Sequence, residues 1–315
     1  MNKITLKTVL ILCTMIICTS CEKEDPIFVG IEGISFENYP RVDGSTSTDP
    51  LNRIIAAKLF GLKYEWEDGG IVNLRNCPQS LTDKLQNSQT HGAITNLIDN
   101  QTDLIIVART MSADERQYAD NAGVSLIETP IALDALDFIV NSENRINSLS
   151  IEQIQNIYLG NITNWNEVGG ANEEIIPFIR NENSGSQEMM NELVMNSADI
   201  PDGKISYACT DERLGTMLRV YTELRLNKNG ICFTPHYYKE YMVLGSDKSN
   251  IKTLAVNGIA PNKKTIKNKT YPLVANVYVS IRSDLDRNSM AYKLYEWLQT
   301  ESGKRVIEES GYVPN

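Results

Sequence analysis

The sequence predicts an α/β protein of two lobes with largely parallel sheets, and three observations carry that expectation. The chain has 315 residues, a length that favours two domains or lobes over one. Its apolar segments alternate between short strand-like runs and stretches with helical spacing, the pattern of α/β units. One distinctive unit, a strand followed by a small hydroxyl-rich loop and then a helix, occurs twice.

The first such unit begins with a strand expected over Phe36 to Val42 and broken by the polar loop Asp43-Gly44-Ser45-Thr46-Ser47-Thr48. Asp49 can cap the following helix and Pro50 suits its first position, while Leu51, Ile54, Ile55 and Leu59 recur at helical spacing up to Gly61. Gly92 to Ile98 reads as a helix, Asp103 to Val107 as a strand ending at Ala108-Arg109, and Ser112 to Asn121 as a helix. Strands are expected over Leu126 to Thr129, Leu136 to Asn141 and Ile175 to Arg180, with a serine-capped helix over Ser150 to Leu159. The opening pattern then returns: Asn183-Ser184-Gly185-Ser186 ends the strand, and Met189, Met190, Leu193 and Val194 form a helical face behind it. The basic cluster Lys263 to Lys269 reads as a surface loop.

Composition narrows the function. With 42% hydrophobic and 22% charged residues the chain is an ordinary globular one, and its net charge of −10 argues against a nucleic-acid partner, which calls for a basic stripe. An acidic protein can still bind an anion, because charges beyond about 10 Å are screened and the groups lining the pocket decide. Residues 1–20 read as a signal peptide: Lys3 and Lys7 open it, Val9 to Cys18 is apolar, and Thr19-Ser20 is a small-residue exit. The apolar run is short for a membrane span, which needs roughly 20 residues. Small residues before Cys21 resemble a lipobox, although Cys18 departs from its usual leucine; a plain signal peptide or an uncleaved anchor is the alternative. Either implies export, with Cys21 as the lipidation site and residues 21–35 as a lipid-anchored tether in the first case. Of the remaining cysteines, Cys77, Cys209 and Cys232, the last two are near enough in sequence to pair. No cysteine or histidine spacing suggests a metal.

A helix N-terminus leaves backbone N–H groups without intrahelical partners and carries partial positive charge, so a hydroxyl-bearing loop there can hold an anion. Ser45, Thr46 and Ser47 precede one helix, and Ser184, Gly185 and Ser186 precede another, with Arg180 ending the strand that feeds it. Arginine offers a planar fork matched to two oxygens of a tetrahedral anion. Serine and threonine are also ordinary caps, and the pairing of two such loops is what favours a site over a cap.

The segments Val42-DGSTSTDPL-Asn52, Ile157-YLGNITNWNEVGG-Ala171, Arg180-NENSGSQ-Glu188, Asn268-KTYPL-Val274 and Glu309-SGYVP-Asn315, in this order, resemble the phosphate-binding proteins of bacterial ABC phosphate transporters. The resemblance implies the type II periplasmic-binding-protein fold: two α/β lobes joined by two crossover strands, with the ligand between them. Lobe 1 would be residues 36–130 plus 272–315 and lobe 2 residues 131–271. It implies an exported monomer, facing the periplasm or cell exterior, that captures phosphate or a similar oxyanion by closing its lobes, needs no cofactor and delivers to an ABC permease. The family's ligand loops fall on Thr46 and Ser47, and on Arg180, Ser184, Gly185 and Ser186, and its helix-start hydroxyl falls on Thr90, with His91 beside it. Where the family carries an aspartate after the strand ending at Val107, this chain reads Ala108-Arg109. That departure leaves phosphate open against other oxyanions, with Arg109 either adding a second cation or pairing with an acidic residue. Glu182 is expected to orient Arg180.

Two rival readings remain. A surface lipoprotein of the same fold could bind another ligand or a protein partner, for which Tyr237, Tyr238 and Tyr241 offer an aromatic patch that packing explains equally well. A serine hydrolase would use Ser184 or Ser186 with a base, and only His91 and His236 exist to serve it. No nucleophile elbow, zinc-protease motif or phosphate loop is present.

Overall fold

A computed structural model describes residues 28–315 apart from 68, 182, 197, 199, 201–205, 208–215 and 244–247. The signal peptide, Cys21, Glu182 and Cys209 lie outside the described residues. The strands are β1 (Val42–Gly44), β2 (Tyr64–Glu67), β3 (Ile71–Leu74), β4 (Leu104–Val107), β5 (Leu126–Asn141), β6 (Ser148–Leu149), β7 (Ile176–Ile179), β8 (Ser206–Tyr207), β9 (Gly230–Pro235), β10 (Ile251–Val256), β11 (Val274–Arg282) and β12 (Val313–Pro314). The helices that matter below are α1 (Asp49–Phe60), α2 (Gln79–Thr82), α3 (Gln89–Ile98), α4 (Ala113–Ala122), α5 (Ile151–Tyr158), α6 (Gly185–Met190) and α7 (Thr216–Leu226).

Among the described residues, ten strands join in one sheet, with the order β1-β4-β11-β5-β9-β7-β8, with β10 and β12 paired to β5 and β6 paired to β10. The pairs β1–β4, β7–β9 and β7–β8 are parallel, as alternating units require. The long β5 makes two sets of partners in succession. Its residues 126–135 pair with β11, and its residues 136–141 pair with β9 and β10. Sequence alone suggested two strands here, split between Thr129 and Leu136. The chain instead passes through without a break: its register against β11 shifts between Val277 and Tyr278, which leaves Ile131 of β5 as the extra residue next to Pro130, a residue that cannot donate to the ladder.

Apolar faces pack where their periodicity aims them. Leu51, Ile54 and Ile55 of α1 are buried with Leu104, Ile106, Val277 and Val279. Ile154, Ile157 and Tyr158 of α5 are buried with Phe138, Val140 and Phe233. A smaller cluster joins Ala93, Ile94 and Leu97 of α3 to Ile105 and Val107 of β4. Burying one such side chain contributes about 1.5–3 kcal/mol.

Local differences from expectation have local causes. The strand expected from Phe36 begins only at Val42, because Ser35 and Asn38 exchange side-chain-to-backbone hydrogen bonds that hold a turn. Lys263–Lys267 is a short helix rather than a loop, capped by Asn262, whose Oδ1 accepts from the Lys264 and Thr265 N–H groups. The end of the expected tether is docked: Val29 N–H donates to Ser302 Oγ at 2.9 Å and Trp297 Nε1 donates to the Val29 carbonyl at 2.7 Å. Tyr237 and Tyr238 are buried, and Tyr237 stacks on Tyr312 with ring centroids 3.8 Å apart, so these rings pack the interior. Among the described residues, no helix is long and apolar enough to cross a membrane.

Candidate functional site

The first hydroxyl loop leaves β1 at Asp43-Gly44. Gly44 is obligatory there by contact, since a Cβ on it would lie 2.5 Å from the Ile106 carbonyl oxygen and 2.7 Å from Thr48 Oγ1. The buried Asp43 carboxylate organises the surroundings: Oδ1 accepts from the Gly44 and Ser88 N–H groups, each at 2.8 Å, and Oδ2 accepts from Asn96 Nδ2 at 2.9 Å. Ser88 leads into α3, so one carboxylate fixes both the β1 loop and the start of the helix that carries Thr90.

A tight turn over Thr46–Thr48, preceded by Ser45 in extended conformation, opens α1. The turn is capped at Ser45, four residues before the Asp49 expected from sequence, and Thr48 precedes α1 itself; Asp49 instead holds Arg53 one turn on, at 2.8 Å. Thr48 Oγ1 donates to the Ile106 carbonyl at 2.6 Å, and the C-terminal Tyr312 hydroxyl donates to the Ser47 carbonyl at 2.9 Å. The Thr46 and Ser47 N–H groups, first in the helix, have no intrahelical acceptor.

On the second unit, Arg180 ends the segment after β7 and is buried at 2% exposure. Its backbone N–H donates to Gln187 Oε1 at 2.9 Å and its guanidinium donates to Met217 Sδ at 3.3 Å. Ser184 caps α6, its Oγ accepting the Gln187 N–H at 3.1 Å. Ser186 Oγ is buried and makes no hydrogen bond to a protein group among the described residues. A buried hydroxyl without a partner costs free energy, which a ligand oxygen at this position would recover.

Both units face one cleft of about 440 Å³. Ser45, Thr46, Ser47, Ser88, Gln89, Thr90, His91, Gly92 and Ala108 line one wall, and Arg180, Asn181, Asn183, Ser184, Gly185, Ser186, Met217 and Pro235 line the other. Eight of the nine residues singled out from sequence thus come together: Ser45, Thr46, Ser47, Thr90, Arg180, Ser184, Gly185 and Ser186. The Ser45 hydroxyl is already engaged, meeting Thr90 Oγ1 at 2.8 Å and accepting the Ala108 N–H at 3.1 Å. Gln89 and Asn183, one on each wall, have positive φ of 64° and 60°, backbone strain of the kind that gathers at binding sites.

Arg109 is the exception, and the reading of it as a second cation in the cleft is corrected. Its side chain is buried against Glu115, with Nη1 2.6 Å from Oε2 and Nη2 2.9 Å from Oε1, and Nη2 also donates to the Asn183 carbonyl at 2.8 Å. Breaking such a buried pair costs about 3–5 kcal/mol, so the guanidinium stays with Glu115. Burial opposes ionisation of Glu115, but the Arg109 bonds and charge, the Ser112 N–H and the His91 ring outweigh it and hold the carboxyl below its ordinary range. Glu115 was missed from sequence because, three residues after Ser112, it reads as a helix-capping acid.

Among the described residues no hydrogen bond joins His91 or His236 to Ser184 or Ser186; the two rings bond instead to Glu115 and Asp137. Cys232 is buried, and burial pushes its thiol up to about 12 against the partial pull of the Arg180 charge. No group of three or more histidine, cysteine or acidic side chains among the described residues could hold a metal.

The PBP superfamily domain model matches residues 41–302. A phosphate-binding protein PstS of Borreliella burgdorferi is 27% identical over 190 residues, covering 59% of this chain and 65% of that protein. One from Staphylococcus saprophyticus is 23% identical over 229 residues, covering 72% of this chain and 69% of that protein. The chain thus spans just under two thirds of the first relative and slightly more of the second. Among solved structures, a candidate phosphate ABC transporter substrate-binding protein from Clostridium perfringens with bound phosphate has a TM-score of 0.63 at 20% identity, over 87% of this chain and 98% of that one. An ABC-type phosphate transport receptor from Vibrio cholerae has a TM-score of 0.60 at 21% identity, over 86% of this chain and 98% of that one. At these identities the likeness is one of fold.

Proposed function

The chain belongs to the PBP superfamily, and on that premise we propose that it is an extracytoplasmic receptor that captures phosphate in the cleft and delivers it to an ABC permease. The observation that carries this reading is the meeting of two hydroxyl-bearing helix starts and one buried guanidinium on a single cleft. The first wall offers the Thr46 and Ser47 N–H and hydroxyl groups and Thr90 Oγ1. The second offers the Arg180 fork and the Ser184, Gly185 and Ser186 groups. A tetrahedral oxyanion has acceptor oxygens on every side, so a shell drawn from two walls encloses it as neither wall could alone.

The division into lobes, residues 36–130 plus 272–315 against 131–271, belongs to the same proposal. β5 then runs from one lobe into the other, and closure is a hinge motion at such connections. An anion landing on one wall is covered by the other, and binding involves no covalent step. Export by the leader and anchoring through Cys21 would keep the receptor beside its permease.

Calorimetric titration of the full-length chain, purified in detergent and freed of bound anion, tests the reading with phosphate, sulfate and molybdate in separate runs. Tight binding of phosphate supports it. Silence from all three would return the chain to the reading of a two-lobed lipoprotein with another ligand.

A further inference from the structure

The cleft holds a group that the hydroxyl loops do not account for. His91 follows Thr90 in the first turn of α3 and lines the cleft with its side chain half exposed. Its Nδ1 lies 2.8 Å from Glu115 Oε1. Glu115 is itself fully buried, clamped by both terminal nitrogens of Arg109 and by the Ser112 N–H at 2.8 Å. The three residues form a relay whose inner end is rigid and whose outer end reaches the anion cleft.

We propose that His91 is a specificity-determining residue of the anion site: Glu115 fixes its tautomer so that Nε2 presents an acceptor lone pair to a protonated oxygen of the bound anion. This rests on the capture reading above. A carboxylate accepts and cannot donate, so its neighbour Nδ1 carries the hydrogen, and a neutral imidazole then has only an acceptor at Nε2. Most other cleft groups are N–H donors or hydroxyls that turn to suit either role, and the amides of Gln89, Asn181 and Asn183 carry both a donor and an acceptor. His91, held in this form by a buried carboxylate, discriminates by charge state. Hydrogen phosphate brings a P–OH that donates to Nε2, whereas sulfate near neutral pH brings only bare oxygens, which face the lone pair unfavourably. A polar group forced against the wrong partner rejects a ligand more strongly than a missing contact does. Arg109 and Glu115 never touch the anion in this scheme; they are positioning residues.

The test measures phosphate and sulfate affinity by calorimetry for the full chain and for His91→Ala and His91→Gln, with thermal melting to verify the fold. In His91→Ala phosphate affinity should fall at least tenfold while sulfate affinity holds or rises, and His91→Gln, whose amide carbonyl can accept, should keep more of the preference than His91→Ala. An unchanged phosphate-to-sulfate ratio in His91→Ala would overturn the assignment. An independent check needs no variant: ¹⁵N imidazole shifts of the phosphate-bound full chain should report the Nδ1–H tautomer at His91, and Nε2–H would overturn the proposal. Glu115→Gln should shift those resonances toward tautomer exchange. Failure of the unmodified chain to bind either anion would sink the capture reading itself, whereas tight phosphate binding with an unaltered ratio would sink only the role of His91.

Discussion

Gly185 sits so close to Thr90 that a Cβ on the glycine would stand 2.6 Å from Thr90 Oγ1. The two residues come from opposite walls of the cleft, on the first turns of α6 and α3, so their approach sets how far the walls close. Thr90 cannot swing aside freely, since it is buried and bonded to Ser45 Oγ at 2.8 Å.

Gly185→Ala should therefore act on closure rather than on folding. A methyl group forced into a packed contact costs roughly 1–3 kcal/mol, which corresponds to a loss of phosphate affinity of about five- to 150-fold. Calorimetry should show that loss with a melting temperature near that of the parent, and small-angle scattering with phosphate should show a more open average shape. Full affinity would mean that the walls need not meet.

Arg180 is expected to contribute the strongest single interaction with the anion. A hydrogen bond to a charged group is worth about 1.5–3 kcal/mol, and the guanidinium can make two. Arg180→Ala should weaken phosphate binding about a hundredfold or more, and Arg180→Lys, which keeps the charge and loses the fork, by roughly tenfold. Equal affinities for parent and Ala variant would remove the residue from the site.

Ser186 separates binding from stability. Its Oγ makes no protein hydrogen bond among the described residues, so Ser186→Ala removes no internal contact. The melting temperature should hold or rise slightly, while phosphate affinity falls roughly tenfold, the loss of one charge-assisted bond. A drop in stability without a drop in affinity would contradict this division.

Strand β5 carries a titration of its own. Burial raises the Asp134 carboxyl to about 6, against the opposing pull of the His236 charge and the Tyr237 and Ala135 N–H groups. Between about pH 4 and 6 the folded protein then holds a proton that the unfolded chain has released, so stability falls as pH rises through this window. The full effect is on the order of 3 kcal/mol. His236 acts in the same sense: burial lowers its pKa, but its bond and proximity to Asp137 outweigh this and raise it, so its contribution is also lost toward higher pH. Denaturant titration from pH 4 to 8 should show Asp134→Asn gaining on the parent as pH rises. Parallel curves would place the carboxyl in ordinary solvent.

Much of this architecture was legible in the residues. The helical spacing of Leu51, Ile54 and Ile55 is the buried face of α1, and the two hydroxyl loops do face one cleft. What could not be read are relationships across the fold. Arg109 was ambiguous because its partner, Glu115, lies in the first turn of α4, and sequence spacing does not show which acidic residue the guanidinium meets. The orientation of His91 follows from α4 packing beside α3, which no local spacing encodes. Asp43 looked like one polar residue in a loop, and its hold on Ser88 and Asn96 depends on the chain returning 45 and 53 residues later. The strands expected over Leu126 to Thr129 and Leu136 to Asn141 are one strand, and only the pairing with β11 and β9 shows that residues 130–135 continue it.

The most direct test of the central claim is a crystal structure of the chain grown with phosphate. The account expects tetrahedral density within hydrogen-bond distance of Thr46, Ser47 and Thr90 on one wall and of Arg180 and Ser186 on the other, with Arg109 still paired to Glu115. Phosphate bound elsewhere, or held in the cleft without Arg180, would contradict it.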